Sequence, residues 1–145
     1  MQYVKIDDET GEVLWDDYFA YVRAARTEFP AALYAFASNW DHYSLDGANT
    51  LHDAWLSGTS FDHKLKGVVL EFLAARHDRK IRFQYVTVAA LAFNLDVEFR
   101  WGDRDVLAHE FRIEGGLVVH EIAFSKGDHI LVRAGNVIPT VETLS

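Results

Sequence analysis

The sequence predicts an α+β fold, an N-terminal helical hairpin or kinked helix packed on a mainly antiparallel, curved meander sheet. Three observations carry this. Between Trp15 and Trp40 apolar residues recur at helical spacing. From Leu51 onward β-branched and aromatic residues alternate between turn signals. Two stretches, 67–88 and 106–124, fold back on themselves with their apolar positions in register. At 145 residues the chain is expected to form a single domain, helical over 15–43 and β-rich over 50–143.

Residues 2–6 are expected as a short strand, followed by a turn at Asp7-Asp8-Glu9-Thr10-Gly11. Trp15, Tyr18, Val22, Ala25 and Phe29 then share one helical face. Asp16 and Asp17 stand in the first turn, where the helix dipole favours negative charge. Pro30 interrupts the pattern and suits the first turn of a second helix, because its missing N–H is not needed there. Leu33, Phe36, Ala37 and Trp40 continue the apolar face. Core packing against a sheet accounts for this aromatic stripe without a cofactor.

After the loop 44–49, strands are expected at 51–60, 68–75, 80–92, 97–101, 106–113, 117–124, 129–133 and 137–142. With His77-Asp78 as a two-residue tip, Ala74 faces Ile81, Phe72 faces Phe83, Leu70 faces Tyr85 and Val68 faces Thr87. The other face then pairs Glu71 with Gln84 and Leu73 with Arg82. His-Asp is not the Asn-Gly type that favours a primed turn, so a longer loop stays open. Gly115-Gly116 is a strong turn signal and pairs Ile113 with Val118, Phe111 with His120 and His109 with Ile122. Residues 125–128 and Ala134-Gly135-Asn136 are expected as further turns.

Charge and composition narrow the function. Fourteen basic against 22 acidic side chains give a net charge of −8, which disfavours nucleic acid as a ligand and suits a basic partner. Ordinary solubility explains the same imbalance. Without cysteine there is neither disulfide nor thiolate chemistry, which fits a reducing cytosol. The opening MQYVKIDDETGEVLW has neither a basic nor an apolar region of the kind a signal peptide needs. No apolar run approaches the ~18–20 residues of a membrane span. A soluble, cytoplasmic protein is expected.

All seven histidines adjoin an acid, as in His52-Asp53, His77-Asp78, His109-Glu110 and His120-Glu121. A carboxylate orienting an imidazole is a general acid–base arrangement. In a strand, however, neighbouring side chains point to opposite faces, so these strand pairs are not expected to form dyads. His109 and His120 share a face on adjacent strands, close enough to share a ligand or a water. Without a third ligand or a zinc spacing, buried and hydrogen-bonded core histidines are the expectation, and no metal or other cofactor. A curved sheet under helices could also enclose an apolar pocket lined by Trp55, Tyr85, Phe99 and Trp101, although the same residues serve equally as core. There is no G-x-S-x-G elbow and no phosphate-binding glycine motif, so no catalytic residue is assigned.

Leu51-His52-Asp53-Ala54-Trp55-Leu56, His77-Asp78-Arg79-Lys80-Ile81, His109-Glu110-Phe111-Arg112 and Leu117-Val118-Val119-His120-Glu121-Ile122 together resemble a pattern in small bacterial proteins. These resemble the immunity proteins that accompany polymorphic toxins, over about residues 50–143. The resemblance implies an inhibitor that occludes a toxin domain, and it carries over no catalytic residue. Within the motif, alternation is expected to hold either His52 or Asp53 in the core. An interaction protein would then meet a basic partner through exposed acids such as Asp41, Asp46, Asp103 and Asp105. The alternative is a small-ligand or enzymatic domain using His109, His120, Trp55 and Tyr85. A homo-oligomer formed through an exposed sheet edge is the third expectation.

Overall fold

The computed structural model describes residues 1–95 and 105–145. The strand expected at 97–101, and with it Phe99, Trp101 and Asp103, lies outside the described residues. The fold is α+β with a mainly antiparallel sheet. A small two-stranded sheet, β1 (Lys5–Ile6) and β2 (Val13–Leu14), leads into α1 (Asp16–Ala24). The expected turn joins β1 to β2, closed by Gly11 N–H donating to the Asp7 carbonyl.

α1 is followed by a single 3-10 turn, Arg26–Glu28, and then α2 (Ala31–Ala37). Pro30 stands one position earlier than expected, capping α2, and Phe29 before it is extended (φ −79°, ψ 141°). A residue preceding proline is driven out of the helical region in this way. Tyr18, Val22, Ala25, Phe29, Leu33, Phe36 and Ala37 are buried, as their spacing implies. Trp40 is not. It opens a second 3-10 turn, Trp40–His42, and remains 51% exposed.

The main sheet contains β3 (Trp55–Asp62), β4 (Gly67–Leu73), β5 (Arg79–Asn94), β6 (Val106–Glu114), β7 (Leu117–Phe124) and β8 (His129–Thr143). Its order is β3-β4-β5-β8-β7-β6. Two three-stranded meanders are therefore joined by the long β5–β8 pairing. A single meander of consecutive hairpins would follow chain order and leave β8 at an edge, whereas β8 lies beside β5.

Ala134-Gly135-Asn136 is no turn, because β8 runs straight through it. The glycine has a different cause. Val86 pairs with Asn136 and Val88 with Ala134, so Thr87, at φ +54°, stands opposite Gly135. A Cβ on Gly135 would lie 3.4 Å from the Thr87 Cβ and 3.5 Å from the Val86 carbonyl oxygen. Close approach of Thr87 and the Val86 carbonyl explains the residue.

The β4–β5 hairpin differs from the two-residue tip by a shift of two. Phe72 pairs with Ile81, Leu70 with Phe83 and Val68 with Tyr85. The tip has four residues, with His77 at φ +58° donating its N–H to the Ala74 carbonyl (2.8 Å). An even shift keeps every side chain on its expected face, so the apolar row survives. It also moves Glu71 opposite Arg82, with Lys80 diagonal, each 3.8 Å away. By contrast, the β6–β7 register is as expected: Ile113 with Val118, Phe111 with His120, His109 with Ile122. Gly115 and Gly116, at φ +56° and +78°, supply the left-handed pair of a primed turn.

The sheet is rolled. Trp55, at the start of β3, bridges to Asp105, just ahead of β6. Asp53 N–H donates to the Val106 carbonyl (2.9 Å) and Val106 N–H to the Ala54 carbonyl (3.0 Å). Six strands laid flat would hold their outer members about 24 Å apart, at roughly 4.8 Å per step. Contact between β3 and β6 therefore requires strong curvature. Leu70, Phe72, Ile81, Phe83, Tyr85, Phe111, His120, Ile122 and Val132 line the inside and are buried. Phe36 of α2 meets Phe83 and Phe111 edge-on (5.5 and 6.1 Å). Burying one such ring stabilises the fold by about 1.5–3 kcal/mol.

Candidate functional site

β6, β7 and β5 bring His109, His120 and Tyr85 together in the interior. His109 Nδ1 lies 3.1 Å from His120 Nε2, and His120 Nδ1 lies 2.7 Å from the Tyr85 hydroxyl. His109 Nε2 lies 3.4 Å from the His42 carbonyl oxygen. These contacts fix the direction of every bond. A carbonyl only accepts, so His109 carries its proton on Nε2 and leaves Nδ1 as an acceptor. His120 must then donate from Nε2, and Tyr85 donates to its Nδ1. Two neutral imidazoles and one phenol form a one-way chain ending on the backbone.

The surroundings keep both rings neutral. Burial pushes His109 down to about 3, offset only partly by its backbone bond to His42. Burial, together with His109, holds His120 well below the ordinary histidine range. Burial likewise raises the Tyr85 hydroxyl well above its usual value. Phe111 stacks on His120 at 3.9 Å, and Tyr43 stacks on His109 at 4.5 Å. At neutral pH neither imidazole is charged, and both nitrogens of each are committed.

Trp55 is half-buried at the start of β3, with its ring edge-on to His77 at 4.9 Å. His52 and Asp53 correct an expectation. The strand begins only at Trp55, and Asp53 sits in a left-handed turn (φ +61°). The two side chains therefore meet, with His52 Nδ1 3.2 Å from Asp53 Oδ2. Neither is in the core, since the Asp53 side chain is 59% exposed and that of His52 17%. Among the described residues no group of three histidine or acidic side chains could hold a metal ion.

His109-Glu110 and His120-Glu121 do point to opposite faces, and the acids build a second network there. Glu110 is fully buried and accepts from the backbone N–H groups of Gln2, Tyr3 and Val4 (2.7–2.9 Å). Arg112 reaches Glu110 (2.9 Å), Glu114 (2.6 Å) and Glu121 (2.6 Å). Glu114 also binds Arg133 (2.6 Å), and Glu121 binds the Met1 amino group (3.0 Å). Burial opposes the Arg112 charge, but Glu114 and Glu121 outweigh it and hold the guanidinium above its ordinary value. Sequence reasoning missed this lattice. Its signal was a strand, VLAHEFRIE, polar on one face yet flanked by apolar residues on both.

Tyr18 and Tyr43 were also missed as polar groups. Their hydroxyls lie 2.8 Å apart, and Tyr43 donates onward to the Ala37 carbonyl (2.8 Å). Tyr18 accepts from Phe111 N–H (3.3 Å) and Tyr21 from Ile113 N–H (2.8 Å). Two tyrosines one helical turn apart thus satisfy alternate amides on the outer edge of β6.

The acids expected at a partner surface are scattered. Asp41 accepts from Ala48 N–H (3.0 Å) and Asn49 Nδ2 (2.9 Å), bracing its own loop. Asp105 is half-buried at the β3 bridge. Asp46 is exposed. Residues 7–17 hold a denser cluster: Asp7, Asp8, Glu9, Glu12, Asp16 and Asp17, with no lysine or arginine among them. Against models of known protein families and against curated protein sequences, the chain finds no match.

Proposed function

We propose that this protein works by binding a basic protein partner through an acidic surface, as an immunity-type inhibitor would, and carries out no catalysis. The observation that supports this reading is where the unbalanced charge lies. The lattice around Arg112 sets Glu110, Glu114 and Glu121 against Arg112, Arg133 and the Met1 amino group, so it is close to neutral. The net −8 therefore belongs to the outer surface, and residues 7–17 concentrate it. Such a surface speeds encounter with a basic partner and favours it over acidic ones. The resemblance of residues 50–143 to immunity proteins points the same way. A cytoplasmic location fits the reading.

The decisive experiment mixes the purified chain with the product of the adjacent gene and measures complex formation from low to high salt. A tight complex with a basic protein, weakening as salt rises, is the expected result. An adjacent product that is not basic, with no salt-sensitive complex, would sink the idea.

A ligand-binding or enzymatic role for His109, His120, Trp55 and Tyr85 draws its support from the 3.1 Å contact between the two imidazoles. It would require a ligand to displace bonds that already saturate both rings. Retention of a metal or small molecule by the purified protein, lost in His120→Ala, would favour it. Self-pairing through a sheet edge is a third arrangement, addressed by mass in solution.

A further inference from the structure

A surface cleft of about 380 Å³ opens where β2 runs into α1, walled by Leu14, Trp15, Phe19 and Trp40, with Glu12 and Asp16 also lining it. The Trp40 ring stands edge-on to Trp15 (5.9 Å, 80°) and to Phe19 (5.7 Å, 70°). Trp15 and Phe19 rest on the buried Tyr43, each at 5.2 Å. The floor is thus packed on a buried ring, while Trp40 is 51% exposed and Leu14 45%.

We propose that this cleft is the point at which the basic partner docks, and that its occupant is an arginine side chain of that partner. The proposal rests on the reading given under Proposed function. Charge complementarity selects the occupant. A purely apolar side chain would bury the walls but would strip water from two carboxylates without compensation. An arginine lays its methylene stem along Leu14, sets its guanidinium against an indole face and leaves its outer N–H groups for Glu12 or Asp16. Lysine supplies the charge without the planar stacking surface. Tryptophan paired with arginine is also the residue chemistry most enriched where binding energy concentrates in interfaces.

Titration calorimetry with a hexa-arginine peptide tests this, using the full chain. Wild type is expected to bind hexa-arginine more tightly than hexa-lysine, and less tightly as salt rises. Trp40→Ala should weaken hexa-arginine binding about tenfold. Glu12→Gln with Asp16→Asn should weaken it severalfold and flatten the salt dependence, while Glu142→Gln, at the exposed end of β8, should leave it unchanged. If Trp40→Ala and the double variant bind as wild type does, the cleft is overturned and the wider acidic-surface reading stands. If hexa-arginine binds no variant, wild type included, both fall. If the chain self-associates in solution and Trp40→Ala abolishes this, the cleft belongs to a second copy and the proposal is overturned.

Discussion

Glu110 and Glu121 stand directly opposite one another on β6 and β7, two carboxylates where like charges would ordinarily repel across a strand pair. Arg112 reconciles them, with Nη1 2.9 Å from Glu110 and Nη2 2.6 Å from Glu121. The N-terminal segment completes the arrangement by donating three backbone amides to Glu110 and its amino group to Glu121. A surface that would otherwise open the sheet thereby anchors residues 1–4 to it.

Glu110→Gln should therefore be costly. The amide replaces an anion that accepts four bonds in a site closed to water, leaving Arg112 partly uncompensated. Loss of one partner from a buried ion cluster costs about 3–5 kcal/mol. Urea denaturation measures the loss, and hydrogen exchange should show the Tyr3 and Val4 amides losing protection first. An unchanged midpoint would refute the anchoring role.

Tyr85→Phe leaves His120 Nδ1 as a buried acceptor without its donor. A loss of about 1–3 kcal/mol is expected. Replacing both members, as Tyr85→Phe with His120→Leu, should cost less than the sum of the single changes, because the second removes the orphaned acceptor. A double-mutant cycle in denaturant reads this, and strict additivity would contradict the one-way chain.

Acid should destabilise the fold well above the carboxylate range. His109 titrates at about 3 when folded and near 6.5 when unfolded, so between those values the unfolded chain binds the extra proton. Stability is then complete above about pH 6.5 and falls as pH drops toward 3, by up to about 1.4 kcal/mol per pH unit for each such histidine. His120 and the stacked, buried His42 are shifted in the same direction by burial and add to the slope. Unfolding free energies at successive pH values check the sign. Nitrogen shifts should also show His109 protonated on Nε2 alone at pH 5.

Tyr21→Phe removes the acceptor for Ile113 N–H on the outer edge of β6. The expected cost is about 1 kcal/mol, with faster exchange at that amide. An exposed edge also invites pairing with another chain, so sedimentation should show more self-association than in wild type.

Local chemistry made some of this legible and distance hid the rest. The β6–β7 register could be read because Gly115-Gly116 permits one tight turn and fixes every pair after it. His77-Asp78 permits no such turn, and the β4–β5 register slipped by two while keeping its faces. Gly135 looked like a turn because its reason for being glycine lies across the sheet, at Thr87. The pairing of β5 with β8 left no local trace, since two antiparallel strands far apart in sequence carry the same alternation whichever neighbour they choose. His109 and His120 could be placed together from the hairpin alone. Tyr85 and the His42 carbonyl, which settle their protonation, arrive from two other segments.

The long β5–β8 seam also sets an order of assembly. Arg79 pairs with Thr143 and Asn94 with His129, so the central strand β5 finds its second neighbour only after β6 and β7 have been made. During synthesis β3, β4 and β5 can form a sheet by themselves, with the whole of β5 left as an open hydrogen-bonding edge. Such edges recruit foreign strands, and pairings this distant in sequence form slowly. The nascent chain therefore passes through an interval in which its most central strand is its most adhesive one, and a holding chaperone present during synthesis should raise the yield of soluble protein.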